Sequence, residues 1–475
     1  MPNPDRSSRP RIGIVLIGAA LLLWPTILNW HPYLFWDTYG YFLQGKAYVH
    51  LAMAGVGVLP EPPEVAEGWV GAAGRMLARD PSIRSPTWSV LTYICAVTGG
   101  FWLLATINGL VAAATVELAL LRLFALEPAA RVLVLAGLAA FTALPWFASY
   151  LMPDLYAGLM ILAAMLLCFA WETMRGIERL LALALYLAAL TFHTSHLLLG
   201  VLLVFLSAGL SAPWPVRRGR LLRLGLPAAA AAALLLAVGW LAVGEASLAP
   251  HSPPFLLARS WEDGPARTYL TAVCPAAGWA ICSHVDSLAP TAQEFLWRSE
   301  DSYWGMDLVT RAAMRREEIA IVVRAIAADP VRQLAAGLVN TVRQAFSLGL
   351  DDFVLGRGAA VTPTDYTFVY LPLAPAATWG LGGLSAVFYA STALAIATLA
   401  ALWRRGRVNP GDRRLVLFAL AALLLNAAIC GALSGPFPRY QARVVWLLPL
   451  LATALALRPA DLISRGRVEP APGGL

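Results

Sequence analysis

Charged side chains are scarce in this chain: Asp, Glu, Lys and Arg make up 13% of its 475 residues, whereas hydrophobic residues make up 59%. So few charges cannot cover a soluble globule, and a mean hydropathy of +0.66 with repeated long apolar runs indicates that lipid is the solvent. The net charge of +7 does not indicate nucleic acid, because the basic residues are almost all Arg and lie in short turns between apolar runs. The composition therefore predicts a polytopic membrane protein without a nucleic-acid partner.

Cysteine is also scarce, with five residues in the whole chain. Three of them lie in apolar runs, but Cys274 and Cys282 lie in a polar region, separated by a loop that contains Pro275 and Gly278. We predict a disulfide between these two, which requires an oxidising compartment such as a bacterial periplasm. The alternative is a pair of free buried thiols. Zinc is not indicated, because two Cys without further ligands do not make a zinc site.

The apolar runs predict an all-α polytopic protein with about ten transmembrane helices, since a helix needs ~20 residues to cross a bilayer. The predicted spans cover residues 12–28, 101–124, 132–151, 154–172, two short helices within 180–211, 225–243, 378–402, 415–434 and 443–457. The first run has no small-residue cleavage site after it, so we interpret it as an uncleaved helix rather than a secretory signal peptide. The pair within 180–211 is divided at His193-Thr194-Ser195-His196, because one helix of that length would carry two imidazoles at its centre.

Most Arg residues lie in the loops on one side of these spans. Short cytoplasmic loops carry such an excess, so we predict that this side and both termini are cytoplasmic, in a bacterial inner membrane. The loop at 31–86 and the region at 245–377 are then periplasmic. If 180–211 were a single span, every later basic loop would lie on the wrong side.

Three domains follow from this division. Residues 1–244 form an N-terminal core that includes the long polar loop 31–86, residues 245–377 form a small, mainly helical periplasmic domain, and residues 378–475 supply the last helices and a tail. In the periplasmic domain, 291–328 and 330–349 show helical apolar spacing. The second of these helices is amphipathic, so it is expected either to lie along the membrane surface or to pack on the rest of the domain.

The apolar run from Trp88 to Phe124 is too long for one straight span and contains Gly99-Gly100. We therefore predict a short interfacial or re-entrant helix followed by the span at 101–124.

An aromatic stretch, WHPYLFWDTYGYF at residues 30–42, directly follows the first span and contains one acid, Asp37. Aromatic rings favour the boundary between lipid and water, so Trp36 and Tyr39 need no functional reason to be there. The acid is different. An ionisable group at membrane depth is costly to desolvate and is by default a functional-site hypothesis.

The order of these features resembles the GT-C membrane glycosyltransferases, which include bacterial protein mannosyltransferases, lipid A aminoarabinose transferases and oligosaccharyltransferases. In that group an essential acid follows the first span, as Asp37 does in FWDTYGYF, and a second acid stands where the third span turns into the fourth, as Asp154 does in SYLMPDLYAGL. A Pro-led segment before the second span (RSPTWSVL), paired short helices in mid-chain and a basic-aromatic pair before a late span (FPRYQARVVWLLPLL) extend the resemblance. It covers roughly residues 12–244 and 378–457.

This resemblance implies transfer of a sugar from a polyprenyl-phosphate donor to a lipid, glycan or protein acceptor on the periplasmic face. The donor already carries a good leaving group, so one base suffices, and Asp37 would take the proton of the acceptor hydroxyl during an inverting attack, with Asp154 as the second catalytic acid. Arg offers the phosphate a permanent charge and a bidentate fork. The residues expected to bind substrate are Arg84, Tyr39, His193, His196, Arg439, Tyr440 and Arg443. No cofactor is required by this chemistry, although Asp37 and Asp154 could together hold Mg²⁺ or Mn²⁺.

Each candidate also has an interpretation without catalysis. Asp37 could cap a helix, and Asp154, directly after Pro153, could complement a helix dipole. Arg439 could contact lipid headgroups. The two His could simply be the polar residues that a turn between two half-length helices requires.

Two other classes of protein remain as alternatives. A lipid or glycan transporter also places polar residues in its spans, but it is expected to show internal repeats with broken helices in matching halves, which we do not find in this sequence. A membrane scaffold with a GT-C-like fold needs no acid and no Arg residues together on one outer face. Because one fold hosts many functions, the choice depends on the geometry of the site.

Overall fold

The computed structural model describes residues 10–55, 84–210, 213–250, 252–298, 301–353, 357–362, 367–373 and 381–458. The sequence predictions for residues 1–9, for most of the first loop (56–83) and for the tail (459–475) lie outside these ranges.

Helices dominate the described chain. In order they are α1 (Ile12–Leu22), α2 (Trp24–Asn29), α3 (Trp36–Gly55), α4 (Pro86–Arg122), α5 (Pro128–Phe141), α6 (Leu144–Ser149), α7 (Leu155–Phe169), α8 (Gly176–Phe192), α9 (Thr194–Gly209), α10 (Trp214–Val243), α11 (Phe255–Asp263), α12 (Pro265–Val273), α13 (Ala292–Trp297), α14 (Leu308–Ala328), α15 (Pro330–Ala345), α16 (Leu381–Arg404), α17 (Pro410–Leu433), α18 (Pro438–Val445) and α19 (Leu447–Leu457). Two short 3₁₀ helices cover Ala280–Ser283 and Tyr303–Gly305.

Five segments of the described chain are long and apolar enough to cross a membrane: α4, α10, α16, α17 and the continuous α18–α19 segment. Shorter apolar helices, α1, α5, α7 and α9, accompany them. The protein is therefore a membrane protein by composition and by helix length.

The middle of the bundle is α7, which is buried on all sides. Its 15 residues carry no charge, and all but the last, Phe169, are buried. A helix that is hydrophobic all round belongs in the interior of a bundle. Gly158 permits a close contact with α18, because a side-chain carbon there would lie 2.7 Å from the carbonyl oxygen of Arg443.

Two breaks expected from the sequence are present. Within α4, Gly99 and Gly100 have non-helical backbone angles, and Gly100 has φ of 69°. Helices α8 and α9 meet at His193, which is extended (φ −157°, ψ 141°). They fold back on each other, because the Tyr186 hydroxyl donates to the Gly200 carbonyl at 3.2 Å, whereas 14 residues of straight helix would separate the two by ~21 Å.

One end of the bundle is held by Arg–carboxylate pairs between helix ends, and we call it the basic end. Arg122 at the end of α4 makes two hydrogen bonds of 2.8 and 2.9 Å to Glu178 in the first turn of α8. Arg458 after α19 makes two of 2.8 Å to Asp412 in the first turn of α17 and a third of 2.9 Å to the carbonyl of Leu123. The ends of α4 and α19 and the starts of α8 and α17 therefore lie together.

The opposite end is joined by different contacts. The hydroxyls of Ser85 and Thr87 at the start of α4 both donate to the carbonyl of Thr191 near the end of α8. Tyr33, before α3, forms a parallel bridge with Tyr150, just before α7. The starts of α3, α4 and α7 and the end of α8 therefore meet here.

The segment from α11 to α14 has an apolar core separate from that of the bundle, and we call this segment the outer domain. Leu257, Phe295 and Tyr303 are buried in it. The predicted disulfide between Cys274 and Cys282 is confirmed.

Four sequence predictions need correction. The first loop is not irregular throughout, because α3 occupies its first part. The protein is not purely α-helical, since Arg357–Val361 (β1) and Phe368–Leu373 (β2) form an antiparallel pair. Residues 291–328 are not one helix: Thr291 caps α13 and Asp307 caps α14, with Asp301 between them at φ of 51°. The predicted span at 132–151 is two helices, α5 and α6, separated at the extended residue Thr142.

Helix α15 turns its apolar face outward. Leu334, Leu338 and Phe346 are 68–73% exposed, whereas the polar residues Asn340 and Gln344 are buried against the end of α17 and the residues after it. The expectation that the apolar face of this helix packs on the rest of the domain is therefore wrong. An outward apolar face suits contact with lipid.

Candidate functional site

Asp37 is the second residue of α3, and its carboxylate is bound by Arg84. The start of α3 is fixed by the backbone N–H of Phe35, which donates to the Thr38 hydroxyl at 3.0 Å. Arg84 Nη2 donates to Asp37 Oδ1, and the Arg84 backbone N–H donates to the Gln44 side chain at 2.7 Å. The side chains of Asp37 and Arg84 remain 17% and 18% exposed, so this ion pair is accessible.

Asp154 directly precedes α7 but makes no capping hydrogen bond there. Its Oδ1 instead accepts from Arg443 Nη1 at 3.0 Å. Arg443 Nη2 also contacts Asn426 Oδ1 at 3.2 Å and Cys430 Sγ at 3.3 Å, both on α17. With 5% and 1% of the Asp154 and Arg443 side chains exposed, this pair is sealed inside the bundle.

Arg439 faces a third carboxylate, Asp352, which follows α15. The Arg439 backbone N–H donates to Asp352 Oδ1 at 3.3 Å, but the side chains approach only to 3.8 Å between Nε and Oδ2, which is too long for a hydrogen bond. Neither of these two buried atoms has a hydrogen-bond partner in the described parts of the chain. Burial raises the pKa of Asp352, and the Arg439 guanidinium opposes that shift.

Aromatic rings surround the Arg439 guanidinium. It lies 4.2 Å from the ring centre of Phe35 and 4.9 Å from that of Tyr440, distances typical of cation–π contacts. Tyr440 also accepts a hydrogen bond of 3.3 Å from Arg439 Nη2. Helix α18 begins at Pro438, early enough to carry both Arg439 and Arg443 on its first turns.

The two histidines lie at the α8–α9 junction. His193 Nδ1 is 2.8 Å from the Ser195 hydroxyl, which in turn is 3.4 Å from Arg443 Nη2. His196 Nδ1 is 3.1 Å from the Ala189 carbonyl, and its buried Nε2 has no hydrogen-bond partner among the described residues. His193 thus connects to the Asp154 pair through Ser195, whereas His196 mainly joins the two helices.

These groups form one electrostatic cluster, which we call the acid–Arg cluster: Asp37, Asp154 and Asp352 with Arg84, Arg439 and Arg443. Arg439 interacts with all three acids, and His193 interacts with Asp154 and with all three Arg. The members come from sequence positions as far apart as 37 and 443. The fold therefore brings these six charged residues together at the end of the bundle opposite the basic end.

Tyr39 lies two residues after Asp37 on α3 and packs on the sheet. It is 42% exposed, and its ring lies 5.3 Å from that of Phe368 on β2 in a T-shaped arrangement. The geometry leaves it available to a ligand without assigning it one.

Two contributors were missed from the sequence. Asp352 lies in the pair Asp351-Asp352 after a short apolar segment, and this doubled acid was the available signal. Trp297, at the end of α13, lies 5.9 Å from the Arg84 guanidinium, so the outer domain reaches the cluster. Nothing in the local sequence of Trp297 distinguishes it from other aromatic residues of that domain.

The described residues contain no group of three or more His, Cys, Asp and Glu side chains arranged to hold a metal ion. Asp37 and Asp154 are each engaged by a different Arg.

Chemically, the acid–Arg cluster offers two partly accessible carboxylates, Asp37 and Asp352, whose side chains are 17% and 18% exposed, and two partly accessible guanidinium groups beside aromatic surfaces. A carboxylate accepts protons, and Arg groups bind phosphate.

Comparison with models of known protein families, with curated proteins and with solved structures gave no match.

Proposed function

We propose that this protein is an integral membrane glycosyltransferase that moves a sugar from a polyprenyl-phosphate donor to a hydroxyl acceptor. One observation carries the proposal: Asp37, a partly accessible carboxylate, lies in the same cluster as Arg84 and Arg439, which are 18% and 14% exposed. A base and phosphate-binding groups are the parts that such a transfer requires.

In the proposed step, the acceptor oxygen attacks the anomeric carbon and the bond between that carbon and the phosphate oxygen breaks. The bonding electrons leave with the polyprenyl phosphate, and the hydroxyl proton passes to Asp37. Oδ1 of Asp37 accepts from Arg84, so we assign proton acceptance to Oδ2. Attack opposite the leaving group inverts the anomeric carbon.

Arg439 is the group we assign to the donor phosphate. Its side chain is held by aromatic stacking and by a carboxylate that stands too far away for a side-chain hydrogen bond, so a phosphate can take the place of Asp352 at low cost. Arg84 both orients Asp37 and adds positive charge. Asp154 acts as a positioning residue, because it is sealed against Arg443.

The proposal includes a ten-span core of GT-C type in a bacterial inner membrane, with both termini in the cytoplasm. The contacts at the basic end support the sidedness, since they group the starts of α8 and α17 with the ends of α4 and α19. The α8–α9 hairpin supports two passes between 176 and 209. The acid–Arg cluster then faces the periplasm, where the disulfide of the outer domain is stable.

The test is Asp37→Asn, assayed as release of polyprenyl phosphate from a radiolabelled donor lipid by the full-length protein. Asn keeps the size and hydrogen bonding but cannot take the proton, so turnover should fall by ~10² or more while donor binding persists. The matched control is Asp307→Asn at the N-cap of α14, an exposed acid outside the cluster whose capping role Asn can fill. With wild-type turnover established, an Asp37→Asn variant as active as Asp307→Asn would exclude Asp37 as the base. Undiminished surface glycan in cells that carry only the Asp37→Asn variant would point the same way.

A further inference from the structure

A groove runs between α8 and α10 on the outside of the bundle. It has a volume of about 540 Å³ and is lined by apolar side chains that include Leu183, Ala184 and Leu187 of α8 and Leu226 and Ala230 of α10. Among the described residues that line it, Arg223 alone carries a charge. A groove of this size is within the range that holds a small hydrophobic ligand.

Arg223 differs from an Arg in a solvated loop, whose only role would be to set the membrane topology. Its side chain is 21% exposed, and its guanidinium lies 4.2 Å from the ring centre of Trp171. Nη1 donates to the Leu167 carbonyl at 3.3 Å. The acid nearest to it, Glu172, is 3.7 Å away with a side chain that is 85% exposed, so this ion pair is weak.

Two further Arg residues add to the positive charge at this end of the groove. Arg179 stacks on Trp171 at 4.8 Å and donates to the Trp171 carbonyl at 2.9 Å. Arg220 is buried beside the Cys168 carbonyl, and its Nη1 has no hydrogen-bond partner in the described chain. Both interact electrostatically with Arg223. Glu172 is the one carboxylate among the groups that interact with Arg223, whereas two Arg residues do so, and this end of the groove therefore carries excess positive charge.

We propose that this groove binds one anionic phospholipid, with its phosphate at Arg223 and Arg179 and an acyl chain along the apolar lining. Trp171 suits the depth of the glycerol backbone, because an indole ring favours the boundary between lipid and water. A free phosphate would use the Arg residues but not the groove. The stretch from Leu180 to Leu187 rises by ~10 Å along α8, which is enough to order the first part of an acyl chain.

The proposed site is separate from the acid–Arg cluster. Arg220 and Arg223 contact the carbonyls at the end of α7, whereas Asp154 precedes the start of the same helix. The two sites are therefore at opposite ends of α7, and the groove lipid is not the donor.

The experiment uses the full-length protein, delipidated in a neutral detergent, and titrates it with dioleoyl phosphatidylglycerol or with dioleoyl phosphatidylcholine. Binding is followed by native mass spectrometry and by the rise in Tm. We expect phosphatidylglycerol to bind in preference, and Arg223→Gln to weaken its binding by about tenfold, because one charge-assisted hydrogen bond is lost. Arg413→Gln is the matched control, since Arg413 also stacks on a Trp ring (Trp403, 5.1 Å) and donates to a carbonyl but does not line the groove. It should bind the lipid as wild type does.

A second variant covers the case in which Arg223→Gln fails to fold. Ala184→Phe fills the groove and leaves every Arg in place, so it should also weaken binding of phosphatidylglycerol. Equal binding of the two lipids by wild type, or wild-type affinity in both variants, overturns the proposal. Preferential displacement of phosphatidylglycerol by undecaprenyl phosphate, with the displacement abolished by Ala184→Phe, would also overturn it and assign the groove to the polyprenyl lipid.

Discussion

At the scale of single residues, the two acids expected to act in catalysis differ in their surroundings. Asp154 and Arg443 are both buried, and removing one partner of a buried ion pair leaves the other charge uncompensated, which costs ~3–5 kcal/mol. Asp154→Asn should therefore lower the Tm of the purified protein strongly. The double variant Asp154→Asn with Arg443→Met should recover part of that loss. A single variant with wild-type Tm but no turnover would instead assign Asp154 to the chemistry.

The ionisable members of the site were largely predictable because ionisable groups are rare in apolar surroundings. Asp37 stands out for that reason. Asp154 follows from the resemblance to the GT-C enzymes, and Arg443 stands out because an outward-facing Arg runs against the topological bias. Asp352 did not, since it lies in a polar region where acids are common, and its place in the cluster depends on how the chain returns from α15. Sequence alone also could not separate the accessible acid from the sealed one, because burial is decided by packing between segments distant in the chain.

At the scale of elements, α3 shows why the first loop was misjudged. Its apolar residues follow no clear helical period, and it contains Gly40 and Gly45, so local propensity argues against a helix. Packing against α4 stabilises the helix despite this low propensity. A side-chain carbon on Gly45 would lie 2.0 Å from the carbonyl oxygen of Ser89, so only Gly permits the contact. By contrast, the breaks at Gly99-Gly100 and at His193 were visible because Gly pairs and polar residues inside apolar runs are local signals.

We predict that Gly45→Ala separates α3 from α4 and so disturbs the pair between Asp37 and Arg84. Overpacking of this kind costs ~1–3 kcal/mol. Both Tm and turnover should fall. Gly137→Ala on α5 is the control, because a methyl group there meets no atom within 4 Å and Ala favours a helix by up to ~1 kcal/mol. Equal behaviour of the two variants would show that the contact at Gly45 does not hold α3.

The stability of the outer domain should depend on pH through the titration of Glu318. This carboxylate of α14 accepts from the backbone N–H groups of Leu256 and Leu257 at 2.8 and 3.2 Å, at the start of α11. Burial raises the pKa of Glu318 from 4.5 to about 6, although these two donors oppose the shift. Because the folded state binds the proton more tightly than the unfolded state, the stabilisation is full below pH 4.5 and is lost as the pH rises through about 6.

Glu318→Gln keeps the accepting oxygen and removes the titration. In thermal unfolding followed by Trp fluorescence between pH 4.5 and 7, the Tm difference between Glu318→Gln and wild type should grow in favour of the variant as the pH rises. A difference that stays constant over this window would mean that Glu318 does not titrate there.

At the scale of the whole molecule, the sequence predicts long apolar helices, and five segments of the described chain are long and apolar enough to cross a membrane. Apolar runs and Arg clusters can be counted along the chain, so a prediction of spans and sidedness needs no knowledge of packing. The sheet of β1 and β2 was missed because it depends on pairing between two separate segments. Phe368 of β2 packs on Phe42 and Phe101, with ring centres 5.5 Å apart in both pairs. Such contacts between distant segments leave no local pattern.

The arrangement of the two ends predicts which surfaces share a compartment. Glu172, Trp214 and Arg405 are exposed and lie in the segments at or leading into the basic end, whereas Gln293 is exposed on α13 of the outer domain. Single Cys substitutions at these four positions, treated with a membrane-impermeant maleimide in spheroplasts, should label only at 293. The first three should label after permeabilisation. Wild type supplies the blank, because Cys95, Cys168 and Cys430 are buried and the other two Cys form the disulfide.

If α8 and α9 crossed the membrane as one straight span, positions 172 and 214 would lie on opposite sides of the membrane. Such a span would also break the Tyr186–Gly200 contact that folds the two helices into a hairpin. Labelling of the position 172 and 214 variants in different compartments would therefore overturn both the hairpin and the ten-span topology.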